Sequence, residues 1–250
     1  MKFIFFNIAK LLIISSVAVA FIKSVGAEEA KLRLTTMEMP PYGFVKDDGQ
    51  ISGLFHEVNH AILQEGNIAG KIELLPLKRL MRGLTIGTQD CAILGNTDYV
   101  RKNYLLLEPL GKELRIGAIG KKTIGARSYD DLYDLNVGVA IGTKLWEKFD
   151  NDTVLRKTEV TNYQQGMIML YRDRINVMTG VIESLSYLAK NIDQDFAASL
   201  SDPILFQNIE LFYVCRTELE KDPRLQVLQN VVIKMRESGE IRRIVKKYLN

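Results

Sequence analysis

Residues 71–95 read KIELLPLKRLMRGLTIGTQDCAILG, and this stretch decides the fold class. It opens with the strand-like run Lys71–Leu75, continues with a helical pattern and ends with a second strand-like run, Asp90–Gly95. A strand, a helix and a further strand in this order are the unit from which parallel sheets are built. The stretch therefore predicts an α/β protein.

The same alternation extends along most of the chain. Helical patterns fall between most of the strand-like runs, and five further runs are predicted to be strands: Lys31–Thr36, Leu114–Gly120, Val137–Ile141, Ile175–Thr179 and Ile209–Cys215. Residues 217–250 lack a strand pattern and predict helices that break near Ser238-Gly239. In sheets of this type ligands bind beyond the carboxyl ends of the strands, so we expect the binding site there.

The first 27 residues have the features of a signal peptide. Lys2 and Lys10 precede the apolar stretch Leu11–Ile22, and Ser24-Val25-Gly26-Ala27 provides the small residues that a signal peptidase needs. The apolar stretch is shorter than the ~20 residues that span a bilayer. We therefore predict a periplasmic protein that is cleaved after about Ala27. An uncleaved amino-terminal anchor is the alternative.

The charge pattern argues against nucleic acid as a partner. The whole chain has a formal net charge of +3, but residues 1–27 contain three lysines and no acidic residue, so the remaining chain is formally neutral. Its basic and acidic residues are interspersed, which offers neither nucleic acid nor an anionic membrane a charged surface to bind. Small molecules and proteins remain as partners.

Cys91 and Cys215 are the only cysteines of the sequence. An oxidising compartment would allow them to form a disulfide. Each of them, however, lies in an apolar, strand-like run that is typical of a buried thiol. We favour two buried free thiols, and a disulfide between them is the alternative.

Four stretches, in order, carry a resemblance to a known family: Thr36–Phe44 with Asp48–Gly53, Gly87–Arg101, Gly138–Thr143 and Glu237–Leu249. Together they resemble the polar-amino-acid type of extracellular solute-binding protein, which has the type II periplasmic binding fold. The resemblance implies a two-lobed clamp in which each lobe is a mainly parallel sheet flanked by helices. It covers nearly the whole chain after the predicted signal peptide.

The resemblance also implies how the chain is divided and what it does. Lobe 1 is expected at residues 28–112 and 217–250, and an inserted lobe 2 at residues 113–216. The protein is expected to be a monomer without a cofactor that captures a small anionic or zwitterionic solute and delivers it to an ABC-type permease or presents it to a membrane receptor. Such a clamp closes because only its closed state offers the solute both halves of the site.

Arg101 is the first candidate for the ligand site. A predicted strand runs into Gly95, Asn96 and Thr97, and Asn96 and Thr97 offer neutral hydrogen-bonding groups. The resemblance implies that Arg101 grips a carboxylate of the solute, and a guanidinium group suits a carboxylate because it makes two parallel hydrogen bonds. A surface arginine beside Lys102 is the alternative.

Gly142 and Thr143 predict a second anion contact. The strand Val137–Ile141 ends in these two residues, and a helix is predicted to begin at about Lys144. Unpaired amides at a helix amino terminus, together with a capping hydroxyl group, attract anions. With Arg101 in lobe 1 and Thr143 in lobe 2, one carboxylate would bridge the cleft.

Tyr42 and Arg79 are further candidates for the ligand site. Pro40 and Pro41 stiffen the loop that carries Tyr42, whose ring is a candidate wall of the pocket. Arg79 stands at a predicted helix start, where the helix dipole disfavours a cation, so it is a candidate ligand for a second anionic group of the solute. An ordinary rigid loop and a solvated arginine are the alternatives.

Two positions depart from the family pattern. Members that bind α-amino acids usually place one aspartate in the first loop and another after the strand of lobe 2, and both receive the ammonium group. Here Thr36 and Val181 stand at those positions. Glu38 or Glu183 would have to substitute from another register. The sequence therefore predicts a carboxylate-bearing solute that does not need an α-amino group.

Two enzyme hypotheses compete with a binding protein. The run His56-Glu57-Val58-Asn59-His60 matches the zinc-peptidase pattern H-E-x-x-H, but the apolar stripe of its helix is predicted to turn both histidines toward solvent. Some proteins of this fold are small lyases or dehydratases, and Glu38 with Glu183 would supply a general acid and base if both line the cleft. We predict a non-enzymatic binding protein, with a ligand-sensing accessory module as the other alternative.

Overall fold

Ten β-strands form in residues 31–249, the part of the chain that the computed structural model describes. The predicted signal peptide lies outside the described residues. The strands are β1 (Leu32–Met37), β2 (Phe44–Val45), β3 (Ile51–Ser52), β4 (Gly70–Leu75), β5 (Cys91–Gly95), β6 (Tyr104–Gly120), β7 (Asn136–Ala140), β8 (Arg156–Val160), β9 (Val177–Val181) and β10 (Ile204–Arg216).

Nine α-helices lie between and after these strands in the same residues. They are α1 (Leu54–Glu65), α2 (Leu77–Ile86), α3 (Asp98–Asn103), α4 (Glu147–Asn151), α5 (Tyr163–Tyr171), α6 (Ile182–Ile192), α7 (Gln194–Ser199), α8 (Pro223–Glu237) and α9 (Glu240–Leu249). Among the described residues, no helix has the length and apolar character needed to cross a membrane. The predicted α/β fold class is confirmed.

Eight of the strands form one continuous sheet in the order β4-β1-β5-β10-β6-β9-β7-β8. On one side β1 runs parallel to β4 and β5, and on the other side β7 runs parallel to β8 and β9. We call the side with β4, β1 and β5 lobe 1, and the side with β9, β7 and β8 lobe 2. The residue numbers at which the lobes meet stay a prediction.

The long strands β6 and β10 join the two lobes. They pair antiparallel over nearly their whole length, from Tyr104 opposite Arg216 to Ala118 opposite Ile204. β10 also pairs with β5 in lobe 1, and β6 also pairs with β9 in lobe 2. The register of the long pair shifts three times, and such irregularities bend a ladder locally. The sequence predicted only the second half of β6.

The carboxyl-terminal tail consists of two helices, as the sequence predicts. α8 ends at Glu237 and α9 begins at Glu240, and between them Gly239 has a φ of +81°, a conformation that favours glycine. The apolar residues at helical spacing are buried: Leu228, Val231, Val232, Met235, Ile241 and Ile244. The tail therefore covers the core of lobe 1.

Cys91 and Cys215 form a disulfide, so the prediction of two free thiols is wrong. The two residues lie directly opposite each other in the antiparallel pair of β5 and β10, with their Cα atoms 4.0 Å apart. Opposed residues in antiparallel strands come close enough for two cysteines to bond. Both residues are fully buried, as the apolar runs indicated. Their pairing depends on a strand register that sequence patterns do not show.

Ion pairs reinforce the same end of the long strands. Asp90 accepts hydrogen bonds from the guanidinium of Arg33 at 2.7 and 3.0 Å and from Nε of Arg216 at 2.9 Å. Burial disfavours the charged carboxylate, but the hydrogen bonds from Arg33 and Arg216 outweigh burial and lower the pKa of Asp90. Asp90 thereby ties β1 and β10 together beside the disulfide.

We expect the double variant Cys91→Ser, Cys215→Ser to lose about 2–5 kcal/mol of unfolding free energy, because a disulfide restricts the unfolded chain most when it closes a long loop. The two cysteines are 124 positions apart. Denaturant unfolding of the oxidised parent and the variant measures the loss. An unchanged free energy of unfolding would contradict a stabilising role for the disulfide.

Candidate functional site

Tyr42 of lobe 1 lies near Glu183 of lobe 2, but no hydrogen bond joins the two side chains. Its side chain is fully buried and packs on Phe55, with ring centroids 4.9 Å apart. Its hydroxyl group has no hydrogen-bond partner among the described residues. Burial raises the pKa of Tyr42, and the negative charge of Glu183 raises it further. Tyr42 therefore remains a neutral hydroxyl at physiological pH, at the meeting of the two lobes.

Glu183 stands in the first turn of α6, where the helix dipole favours a carboxylate. Its Oε1 accepts a hydrogen bond from Nε of Arg115 at 3.0 Å and lies 3.5 Å from Nζ of Lys112. Its Oε2 is buried and has no partner among the described residues. Glu183 thus connects lobe 2 to β6, which carries both basic residues, and leaves one oxygen unpaired near Tyr42.

An open cavity of about 440 Å³ lies beside these basic residues on the two long strands. The residues that line it are Gly111, Lys112, Glu113, Arg115, Asn208 and Glu210. The sequence analysis named Glu183 but missed the pairing of Lys112 and Arg115 with it, because a contact between β6 and the start of α6 depends on the fold of the whole sheet.

Asn96 and Thr97 directly precede α3, and Arg101 of its last turn folds back onto Asn96. Oγ1 of Thr97 caps this helix by accepting a hydrogen bond from the Val100 amide at 3.3 Å. Arg101 donates to the carbonyl oxygen and Oδ1 of Asn96 at 3.0 and 2.7 Å, and it also forms an ion pair with Asp98. The Arg101 side chain is 48% exposed. Arg101 is therefore already paired with a carboxylate of its own helix.

The predicted helix start at Lys144 is wrong, because α4 begins at Glu147 and has only five residues. The carboxylate of Asp150 accepts hydrogen bonds from the amides of Leu145 and Trp146 at 3.2 and 3.3 Å. This arrangement holds the chain after the Gly142 turn in an irregular conformation. The anion contact predicted at Gly142 and Thr143 therefore cannot use the amino terminus of a helix.

Gly142 and Thr143 instead form a turn that meets lobe 1. Gly142 has a φ of +77°, which favours glycine, and the Thr143 hydroxyl donates to the carbonyl oxygen of Ala140 at 2.7 Å. Lys78 of α2 lies against Gly142 so closely that an added Cβ would lie 2.5 Å from its Cε. The sequence analysis chose the neighbouring Arg79 and missed Lys78, since no sequence signal distinguishes these adjacent basic residues.

Glu38 and Arg79 share a separate groove at the outer edge of lobe 1, beside β4. The groove has a volume of about 510 Å³, and both residues are exposed. Its walls are largely apolar and include Val45 of β2, Ile51 of β3 and Ile72 of β4. Glu38 and Arg79 are thus brought together with each other, whereas Glu183 lies beside Tyr42.

The two positions that lack aspartate are both buried. Oγ1 of Thr36 accepts a hydrogen bond from Nδ2 of Asn59 at 3.3 Å. Val181 is apolar, and its amide donates to the hydroxyl of Tyr163 at 3.3 Å. Neither position supplies a negative charge for an ammonium group.

The H-E-x-x-H run forms part of α1 and holds its glutamate in an ion pair. Glu57 accepts hydrogen bonds from Nζ of Lys247 at 2.6 Å and from the hydroxyl of Tyr248 at 3.0 Å. His60 is exposed, but His56 is half-buried, so the prediction that both histidines turn to solvent is wrong for His56. In residues 31–249 no group of three or more metal-ligating side chains is clustered.

The fold and the cleft define a class of protein: two α/β lobes, joined by two long strands and facing each other with charged and polar groups, form a solute-binding clamp. Residues 32–250 match the bacterial extracellular solute-binding proteins, family 3, and the chain belongs to this family. The resemblance inferred from the sequence is confirmed. A comparison with curated proteins found no match.

Solved structures of similar fold include a mutant of ArgBP from T. maritima, with 18% identity and a TM-score of 0.72 over 87% of this chain and 94% of that one. A histidine kinase sensor domain with similarity to periplasmic binding proteins has 13% identity and a TM-score of 0.74 over 89% and 96%. The ancestral amino acid-binding protein AncCDT-1, a precursor of cyclohexadienyl dehydratase, has 18% identity and a TM-score of 0.69 over 88% and 95%. At these identities the likeness shows the fold alone.

We expect purified protein dialysed against zinc to retain no stoichiometric metal, because Glu57 is already paired with Lys247 and Tyr248. Replacement of the exposed His60 by alanine should change the unfolding free energy by less than about 0.5 kcal/mol. Elemental analysis and denaturant unfolding measure these quantities. One zinc ion per chain that is lost in the double variant His56→Ala, His60→Ala would support the zinc-peptidase hypothesis instead.

Proposed function

We propose that this protein is exported to the periplasm, where it captures a small carboxylate-bearing solute by closing its cleft and delivers it to an ABC-type permease. Its family supports solute binding in general. One observation supports an anionic solute in particular: Lys78 of lobe 1 lies against the Gly142 turn of lobe 2. Closure therefore brings a cation to the turn for which the sequence predicted an anion contact.

Lys78 replaces the helix amino terminus as the physical basis of this contact. A glycine with positive φ lets a ligand approach the backbone closely, and Gly142 has that conformation. The ammonium group of Lys78 attracts a carboxylate, and the attraction strengthens when closure excludes water from the pair. Gly142 and Thr143 remain proposed ligand residues, with Lys78 added to them.

Arg101 is proposed as the second ligand of the carboxylate, with Asn96 and Thr97 beside it. Its guanidinium already binds a carboxylate, that of Asp98, and it is half exposed. A solute carboxylate that displaces the Asp98 carboxylate would keep the charge of Arg101 paired. A lysine at this position would keep the charge but not the two parallel hydrogen bonds.

The solute is proposed to need no α-amino group. The positions at which relatives usually carry aspartate hold Thr36, which is bonded to Asn59, and the apolar Val181. Tyr42 is proposed to contact the solute through its hydroxyl rather than through its ring, because the ring packs on Phe55 inside lobe 1. Glu38 and Arg79 stay candidates only for a solute that extends into the groove beside β4.

Export is supported by the disulfide. Cys91 and Cys215 are bonded, and disulfides persist in oxidising compartments such as the periplasm. The sequence of residues 1–27 supports the same localisation through its predicted cleavage site after Ala27.

A reaction on the bound solute is a second candidate function. The unpaired Oε2 of Glu183 beside the neutral hydroxyl of Tyr42 favours it, because a carboxylate and a hydroxyl group are suited to general acid–base catalysis. Chromatography of the solute after incubation distinguishes the two, since a binding protein returns it unchanged. A sensory accessory role would use the same clamp, so identification of the membrane partner would distinguish it from transport.

We expect Lys78→Ala and Arg101→Ala each to weaken binding more than tenfold, because loss of one member of a charged contact costs about 2–5 kcal/mol. The matched control is Lys102→Ala, which removes an exposed cation next to Arg101 and should change Kd by less than about twofold. A thermal-shift screen of carboxylic acids, each with and without an α-amino group, finds the solute, and calorimetry gives Kd.

Two results would contradict the proposal. One is a solute that binds Arg101→Ala and Lys78→Ala as tightly as it binds the parent. The other is tight binding of an α-amino acid whose deaminated analogue does not bind. The second result would assign the ammonium group to Glu183, the buried carboxylate with an unpaired oxygen.

A further inference from the structure

Helix α6 of lobe 2 packs its first turns directly against the loop of lobe 1 that follows β1. Ser184 is fully buried and donates a hydrogen bond from Oγ to the carbonyl oxygen of Pro40. The rings of Tyr187 and Phe44 lie with their centroids 5.9 Å apart. Because Ser184 and Tyr187 are three positions apart on a helix, they share one face. That face contacts lobe 1.

Glu183 strengthens the same contact from the side of the long strands. Arg115 and Lys112 of β6 hold its Oε1, and this fixes the start of α6 relative to β6. Its buried Oε2 and the buried Tyr42 hydroxyl lie near each other, and neither has a hydrogen-bond partner among the described residues.

These contacts join the lobes through protein groups alone. Separation of the lobes breaks the hydrogen bond between the Ser184 hydroxyl and the Pro40 carbonyl oxygen. It also breaks the contact between the rings of Tyr187 and Phe44. We propose that Ser184 and Tyr187 form a latch that holds the two lobes closed in the absence of solute.

The latch makes its members positioning residues for solute binding. A clamp that is already biased toward its closed state needs less of the solute's binding free energy for closure, so the apparent affinity rises although the latch does not touch the solute. The inference goes beyond the proposed function, because a latch of this kind acts in the same way on any solute.

The interlobe distance of the solute-free protein tests the latch. Spin labels at Gln64→Cys in α1 and Lys190→Cys in α6 report on it, since both positions are exposed. The native disulfide is fully buried and remains closed during labelling. Any solute that co-purifies is removed by unfolding in guanidinium under non-reducing conditions, dialysis and refolding. Pulsed electron–electron double resonance then gives the distribution of distances between the two spin labels.

We expect the parent to show a dominant short distance without solute. Ser184→Ala should lower the ratio of closed to open protein about fivefold, since a hydrogen bond between neutral groups contributes on this order. Tyr187→Ala should lower the ratio by a similar factor. Tyr42→Phe removes only the Tyr42 hydroxyl group and keeps the ring on Phe55, so it measures what that hydroxyl contributes to the ratio.

Two variants inside lobe 2 are matched controls. Ser199→Ala removes a serine that also donates to a carbonyl oxygen, that of Phe196 at 2.7 Å. Tyr171→Ala removes a ring that contacts Phe196 at 5.1 Å. Both should leave the distance distribution unchanged, and circular dichroism confirms that every variant folds.

The proposal is overturned if the solute-free parent shows only the long distance, or if Ser184→Ala and Tyr187→Ala keep the parent's distribution. It is also overturned if the two controls shift the distribution as far as the latch variants do, since the effect would then reflect loss of stability in lobe 2. No solute is present in the measurement, so its outcome is independent of the carboxylate proposal.

Discussion

The antiparallel pair of β6 and β10 is the constraint on which the rest of the protein depends. β6 runs from lobe 1 into lobe 2 and β10 runs back, so the hydrogen-bonded ladder of one lobe continues into the other. The disulfide between Cys91 and Cys215 and the ion pairs of Asp90 fasten the lobe 1 end of β10. The register of the pair shifts at three points between its two ends, and such irregularities bend a ladder locally.

The long pair of strands places a charged side chain of one lobe beside a residue of the other at two points. Lys78 meets the Gly142 turn, and Glu183 meets Tyr42, only when the two strands hold the lobes together. Glu183 also connects this meeting point to the long pair of strands, because Lys112 and Arg115 of β6 hold its Oε1. The lobes thus meet at the Gly142 turn, where we propose an anion contact, and at Glu183, where polar protein groups are buried.

The order of strands and helices could be predicted because each follows from local periodicity, as in residues 71–95 and in the tail. What the sequence missed depends on pairing between distant segments. β8 (Arg156–Val160) is an edge strand with three charged residues among five, so it lacks an apolar pattern. The disulfide depends on the register of β5 on β10, and the irregular chain before α4 depends on the hydrogen bonds of Asp150. The contact of Lys78 with the Gly142 turn depends on how the two lobes are arranged.

The central claim is that the cleft holds a carboxylate-bearing solute and leaves it unchanged. Native mass spectrometry of gently purified, exported protein tests this claim most directly, because a solute enclosed between the lobes co-purifies and its mass identifies it. The account predicts one carboxylate-bearing molecule per chain, released intact when the protein unfolds. A bound solute without a carboxylate, or one that the protein converts during incubation, would contradict the account.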